Sequence, residues 1–305
     1  MPRPLAWTAL ALTLWCVPAQ AQLEFPDRAA ALRPSGMVEG STTWGMARTD
    51  YSGTDFLEEH LLVFGLDARI PIESLILEVS ILDALSAVRL GQDAVHYEGT
   101  YNALGNPRIG ASWHHADDAG LRVEIGGALN IPYLATQSVE PLRLDAWPSP
   151  PIIVPPPRQH QRHRGGWSAF QLEADRFAVV AHARVELDLA PEVVIGGELD
   201  LPLVARLDRS EVMFLPQLSL EGAFRFLQLS LIGLRAQATV VHPLTHYGLV
   251  VLLEPFLRVV QLIEDVAAFG TLSVPISVGP DSLPSDNGPS PTVFAGLKVG
   301  GGVLF

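Results

Sequence analysis

In the stretch "FAVVAHARVELDLAP", Arg184, Glu186 and Asp188 stand at every second position, with His182 just before them. The same spacing recurs. It sets Arg122 and Glu124 in "LRVEIGGALNI", Glu198 and Asp200 in "EVVIGGELDL", Glu221 and Arg225 in "QLSLEGAFRF", and Glu254 and Arg258 in "LVVLLEPFLRVV". Lys298, in the closing "GLKVGGGVLF", is the only lysine of the chain. Charges two residues apart share one face of an extended strand, and the residues between them share the other. In a closed sheet with these faces turned inward, two chemistries are open. The charges set the selectivity of a path, or they pair with one another as a salt-bridged filling.

Covalent and metal chemistry find less support. "GASWH" at Gly110 to His114 approaches a nucleophile elbow, but its fifth residue is His114 and it lies in a strand, not at a strand-to-helix turn. His160 and His163 fall three apart on a loop, which is short of a metal site. "HHADD", His114 to Asp118, sits where a tight turn is expected. His242 and His246 have no nameable partner, and no glycine-rich phosphate loop leads into a helix. The reading is therefore a protein that is not an enzyme, with no catalytic residue, no metal and no cofactor.

The elements that must position these charges are strands. Apolar residues alternate with polar or small ones around residues 37–47, 58–68, 74–82, 107–115, 121–131, 175–188, 192–202, 211–224, 227–239, 247–260, 265–276 and 294–305. That is about twelve strands, each near the roughly 9–11 residues that a tilted membrane strand requires. Only "LDALSAVRLG", Leu82 to Gly91, also admits a helical period. The connections sort by parity. "ARIPIES", "HADDAG", "LAPE", "FRFLQ" and "LIED" are short, while the others are mostly long, including a stretch around Asp83 to Asn106 and one from Tyr133 to Trp167. Short turns at one end and long loops at the other mark an up-and-down barrel. Trp113, Phe224, Phe226, Tyr133, Trp167 and Tyr247 fall near strand ends, where rings meet headgroups.

Residues 1–21 read as a secretory signal peptide: Arg3, the apolar "LAWTALALTLWCV", then Ala19-Gln20-Ala21 as the cleavage site. Removing Arg3 leaves 19 Lys+Arg against 33 Asp+Glu in residues 22–305. Such an acidic chain is no partner for nucleic acid. Cys16 is the only cysteine, so no disulfide framework supports an exported fold. Beyond the leader no run of 18 apolar residues occurs, which excludes membrane helices and leaves a closed sheet as the way to cross a bilayer. The fold expected is an all-β transmembrane antiparallel barrel over residues 22–305, located in the outer membrane in contact with its lipid. Residues 133–167 form a long Pro-rich extracellular loop whose "PSPPIIVPPPRQHQRHRGG" favours extended polyproline.

The terminal stretch puts Leu297, Val299, Gly301, Val303 and Phe305 on one face. It resembles the C-terminal signal of bacterial outer-membrane proteins, alternating apolar residues that finish on Phe. This implies Leu297, Val303 and Phe305 as an assembly signal, with the barrel-assembly machinery as partner. Between Gly65 and Pro132, "GLDARIPIESLILEVSIL", "ALGNPRIGASWHH" and "GLRVEIGGALNIP" resemble a broad family of outer-membrane transporters, the channels associated with phenol degradation and related to long-chain fatty-acid transporters. That resemblance implies a channel for small, rather apolar molecules. Two other readings stay open: a barrel that works through its loops as adhesin, scaffold or surface enzyme, and an exported soluble β-sandwich. Deleting Phe305 should slow assembly more than export, seen in a pulse-chase as prompt leader removal with delayed appearance of the heat-modifiable form. Normal assembly kinetics would remove the signal reading.

Overall fold

Alternation along each strand decides which side chain meets which medium. The structure, a computed structural model, describes residues 31–34, 36–50, 56–92, 95–132, 176–206, 211–226, 229–241, 248–263, 266–280 and 291–305. The proposed signal peptide and the 133–167 loop, with His160 and His163, lie outside the described residues, as do His242 and His246. The strands are β1 (Met37–Asp50), β2 (Phe56–Ile72), β3 (Leu75–Gln92), β4 (Val95–Leu104), β5 (Arg108–Ala116), β6 (Leu121–Asn130), β7 (Arg176–Ala190) and β8 (Val193–Arg206). They continue with β9 (Glu211–Phe214), β10 (Gln217–Phe226), β11 (Ser230–Val241), β12 (Gly248–Ile263), β13 (Val266–Ser273), β14 (Ile276–Pro280) and β15 (Pro291–Leu304).

These segments make a closed twelve-strand antiparallel barrel. β4 and β5 pair with successive parts of one edge of β3, so they are two halves of one stave. β9 and β10 do the same along β8, and β13 and β14 along β12. Each break falls at a proline: Pro107, Pro216 and Pro275. Proline has no N–H to give to the ladder, yet its carbonyl still works. Ile131 N donates to Pro107 O at 3.0 Å, Val240 N to Pro216 O at 2.9 Å and Gly296 N to Pro275 O at 2.9 Å. The ring closes where β15 pairs with β1, from Thr49↔Thr292 to Met37↔Leu304.

Exposure follows the period of two. Ile125 is 56%, Val185 48%, Leu253 47% and Val299 52% exposed, whereas His182 is 5%, Glu186 3% and Glu254 4%. The outer surface is thus a continuous apolar belt. In water, so large a patch would drive association; against hydrocarbon it is the favourable surface. Leu297 and Val303 belong to this belt, and Trp113 lies at its edge, its ring stacked on His115 with centroids 5.8 Å apart. Phe305 is half-buried beside Gly36.

The stretch at residues 82–91 is strand, which settles its helical option. β2 pairs with it residue by residue from Ile72↔Leu75 to Phe56↔Gly91 and takes up its backbone groups, and β4 pairs along its other edge. Leu82, Ala84 and Ser86 turn inward while Leu85, Ala87 and Arg89 turn outward. The connection expected as a long stretch around Asp83 to Asn106 is therefore largely the β3–β4 hairpin. β2 and β3, at 17 and 18 residues, are longer than a bilayer requires.

Short turns gather at the other end. Between β5 and β6, Asp117 Oδ1 accepts from Ala119 N at 3.0 Å and from Leu121 N at 2.8 Å. Gly120 has φ +83°, and a Cβ there would lie 2.7 Å from Cβ of Asp188. Gly120→Ala should therefore lower the free energy of unfolding from lipid vesicles by about 1–2 kcal/mol, measured by urea titration of tryptophan fluorescence. An unchanged midpoint would contradict the left-handed turn.

Candidate functional site

Register brings the inward charges together. Glu124 faces Arg184 across β6 and β7, and Arg184 faces Glu198 across β7 and β8. Arg184 bridges both carboxylates, at 3.0 Å to Glu124 and 2.6 Å to Glu198. Glu124 also accepts from Arg69 at 2.6 Å, and Arg69 reaches Glu78 at 3.1 Å. Two residues nearer the short-turn end, Arg122 pairs with Glu186 and, at 3.1 Å, with Asp188, which also takes Arg225. On β10 to β12, Arg235 joins Glu221 and, at 3.1 Å, Glu254; the other oxygen of Glu254 accepts from Ser273 Oγ at 2.6 Å. Asp200 lies 3.7 Å from Arg108. Lys298 is half-buried on the inner face of β15, opposite Thr43 and Ser273. Charges withdrawn from bulk water are tolerated when paired and costly when one partner is removed.

This ionic belt lies between apolar panels. Toward the long-loop end the inner wall carries Ala128, Ala178, Val180, Val204, Met213 and Leu215 on one side, and Ala47, Leu61, Val63, Leu82, Ala84 and Phe294 on another. At the border of the first panel and the belt, Ser112, Gly126, His182 and Asp200 follow one another across β5 to β8. Ser112 Oγ, both ring nitrogens of His182 and Asp200 Oδ1 are buried there without a protein hydrogen bond. Polar atoms so placed take water or a polar solute as partner.

The chain preceding β1 enters the lumen at the belt. Leu32 N donates to Glu186 Oε2 at 3.1 Å, and the Leu32 side chain packs on Val194, Ala223 and Leu231. Arg33 pairs with Glu198 at 3.1 Å. Arg258 donates to Leu32 O at 3.0 Å and to Ala31 O at 3.3 Å, while Arg69 donates to Pro34 O at 3.0 Å. The strap therefore touches β2 on one side and β7, β8, β10, β11 and β12 on the other. A cavity of about 10 Å³, room for roughly one water, remains beside it, lined by Leu32, Arg184, Glu186, Glu198 and Ser219.

All the charges singled out from spacing, from Arg122 to Lys298, thus sit on the inner wall, and the structure brings most of them into one belt. Sequence reasoning passed over Arg69, Glu78, Arg108, Arg235 and the strap. Arg69 and Arg235 were accessible to the same rule, since "LDARI" and "LIGLRAQATV" alternate like the rest. Arg33 was not, because "AALRPSG" carries no period.

No protein-family model and no curated relative matches the sequence. Among solved structures, the chain is similar to the COG4313 outer membrane channel from Pseudomonas putida F1, with 14% identity, TM-score 0.55, 90% of this chain covered and 98% of that one. It also aligns with the transport unit of the autotransporter AIDA-I from Escherichia coli (8% identity, TM-score 0.47, 95% and 94% covered). A third alignment is with the toluene transporter TodX from P. putida (9% identity, TM-score 0.41, 93% of each covered). The first similarity places the fold among bacterial outer-membrane barrels.

Glu124→Gln leaves Arg69 and Arg184 each short of a carboxylate. It should cost about 3–5 kcal/mol of unfolding free energy in vesicles, against a few tenths for Asp118→Ala on an exposed turn. Equal effects of the two would show that the belt contributes nothing to stability.

Proposed function

We propose that the protein is an outer-membrane channel for the passive passage of small, rather apolar molecules, and that the residues from Arg122 to Lys298 act by lining its path. Residues 1–21 direct export, the barrel-assembly machinery receives the chain through Leu297, Val303 and Phe305, and residues 133–167 form a long extracellular loop. The observation that carries this reading is the layering of the inner wall. Apolar panels face the long-loop end, where a solute from outside would enter. Ser112 Oγ, the ring nitrogens of His182 and the Oδ1 of Asp200, all without a protein hydrogen bond, follow, and then the ionic belt. A wall that only filled space would not need this order. The resemblance of Gly65 to Pro132 to channels associated with phenol degradation supports the same solute class.

The measurement is flux. Vesicles carrying the protein should pass small neutral aromatic solutes faster than sugars of equal size, and planar bilayers should show discrete conductance steps. Faster passage of the sugar would reverse the solute class. No flux and no steps, before and after trimming residues 140–164, would leave a barrel that acts through its loops.

A further inference from the structure

Three side chains above the ionic belt are sealed from solvent with hydrogen-bonding capacity to spare. Ser112, His182 and Asp200 are 1%, 5% and 6% exposed. Yet Ser112 Oγ, both ring nitrogens of His182 and Asp200 Oδ1 have no hydrogen-bond partner among the described residues. Register sets the three on one line across β5 to β8, with Gly126 between Ser112 and His182. Beside that line the inner wall is nearly bare. Gly110, Ala128 and Ala178 form its floor, and Val180 and Met213 bound it. A Cβ on Gly126 would lie 2.6 Å from Ser112 Cβ, and one on Gly110 3.0 Å from Ala128 Cβ, so the floor is held small. Arg108 of β5 meets Asp200 of β8 at 3.7 Å. Two strands stand between them, so this ion pair crosses the lumen side of β6 and β7 and bridges the floor.

We infer that Ser112, His182 and Asp200 form a head-group subsite for a neutral solute that carries a hydroxyl on an apolar body, a subsite that rests on the channel reading and narrows its solute class. The body lies on Ala128, Ala178 and Val180. The charges decide the head. Asp200 opposes an anion and Arg108 opposes a cation, while nearby Glu78 is taken by Arg69, and Arg184 by Glu124 and Glu198. A neutral imidazole offers one donor and one acceptor, a serine hydroxyl offers both, and a carboxylate oxygen accepts. A hydroxyl complements that set, since it donates to Asp200 Oδ1 while accepting from His182 or Ser112. A solute of the same shape without the hydroxyl displaces water from these atoms and returns no hydrogen bond, so the subsite discriminates against it. An apolar wall alone would take both alike.

The test uses the full chain in detergent micelles and follows 4-fluorobenzyl alcohol and 4-fluorotoluene by fluorine NMR, with protein-free micelles as background. The parent protein should bind the alcohol saturably and about tenfold more tightly than fluorotoluene. It should also prefer the alcohol to 4-fluorobenzoate and 4-fluorobenzylamine. His182→Phe, assembled as judged by its heat-modifiable form, should bind alcohol and fluorotoluene alike. Ser112→Ala, a smaller change that serves if the first variant does not assemble, should lower the preference several-fold. The imidazole proton signal that His182→Gln removes should move when the alcohol is added and stay when fluorotoluene is. Equal affinity of the parent for the two neutral solutes, saturable binding of neither, or a preference that survives in the variants overturns the subsite and leaves a channel for apolar molecules. Tighter binding of the benzoate or the amine overturns the neutral head. A still imidazole signal places the hydroxyl elsewhere and overturns it as well. The preference intact, with neither flux in vesicles nor conductance steps, ends the channel reading and keeps the subsite.

Discussion

In hydrocarbon an unpaired amide has no water to turn to, so a sheet that crosses a bilayer must leave no edge. The rest of this molecule depends on that constraint. It makes β15 return to β1, and the seam where they meet is built for close approach. The inner face of β15 is mostly glycine there, and a Cβ on Gly302 would fall 1.9 Å from the carbonyl oxygen of Val38. The same constraint explains the proline breaks. A stave can lose one donor at Pro107, Pro216 or Pro275 because the carbonyl of each proline still serves the next strand.

Closure creates an inside, and the period of two then assigns it. Inward side chains are turned away from lipid and toward the other staves, and most of the inner charges are satisfied by charge across ladders. Register does this directly. Glu124, Arg184 and Glu198 are neighbours because three strands are in step, with no loop needed to bring them together. The belt is therefore a property of the sheet, as rigid as its hydrogen bonding. The strap contributes what the ladders leave over: carbonyls for Arg69 and Arg258, an N–H for Glu186 and a guanidinium for Glu198.

Much of this was legible in the residues. Alternation in "FAVVAHARVELDLAP" names both faces of β7, and the parity of short and long connections names the up-and-down order. The stretch at residues 82–91 was ambiguous because its apolar residues satisfy a period of 3.6 as well as 2, and only the edges of β2 and β4 decide between them. The pairing of particular charges was hidden, since a strand's pattern fixes its faces but not its offset from a neighbour. The strap was hidden more deeply. It has no periodic signal and is held by groups on strands far from it in the chain, such as Arg258.

One contact near the seam has a temporal meaning. Phe305 N donates to Gly36 O at 3.2 Å, so the residue that follows the closing stave secures the point where the strap leaves the first. Until β15 has zipped onto β1 there is no ring to cross and no opposite bank for residues 31–34 to reach. A segment that precedes every stave in the chain is in this way the last to find its berth.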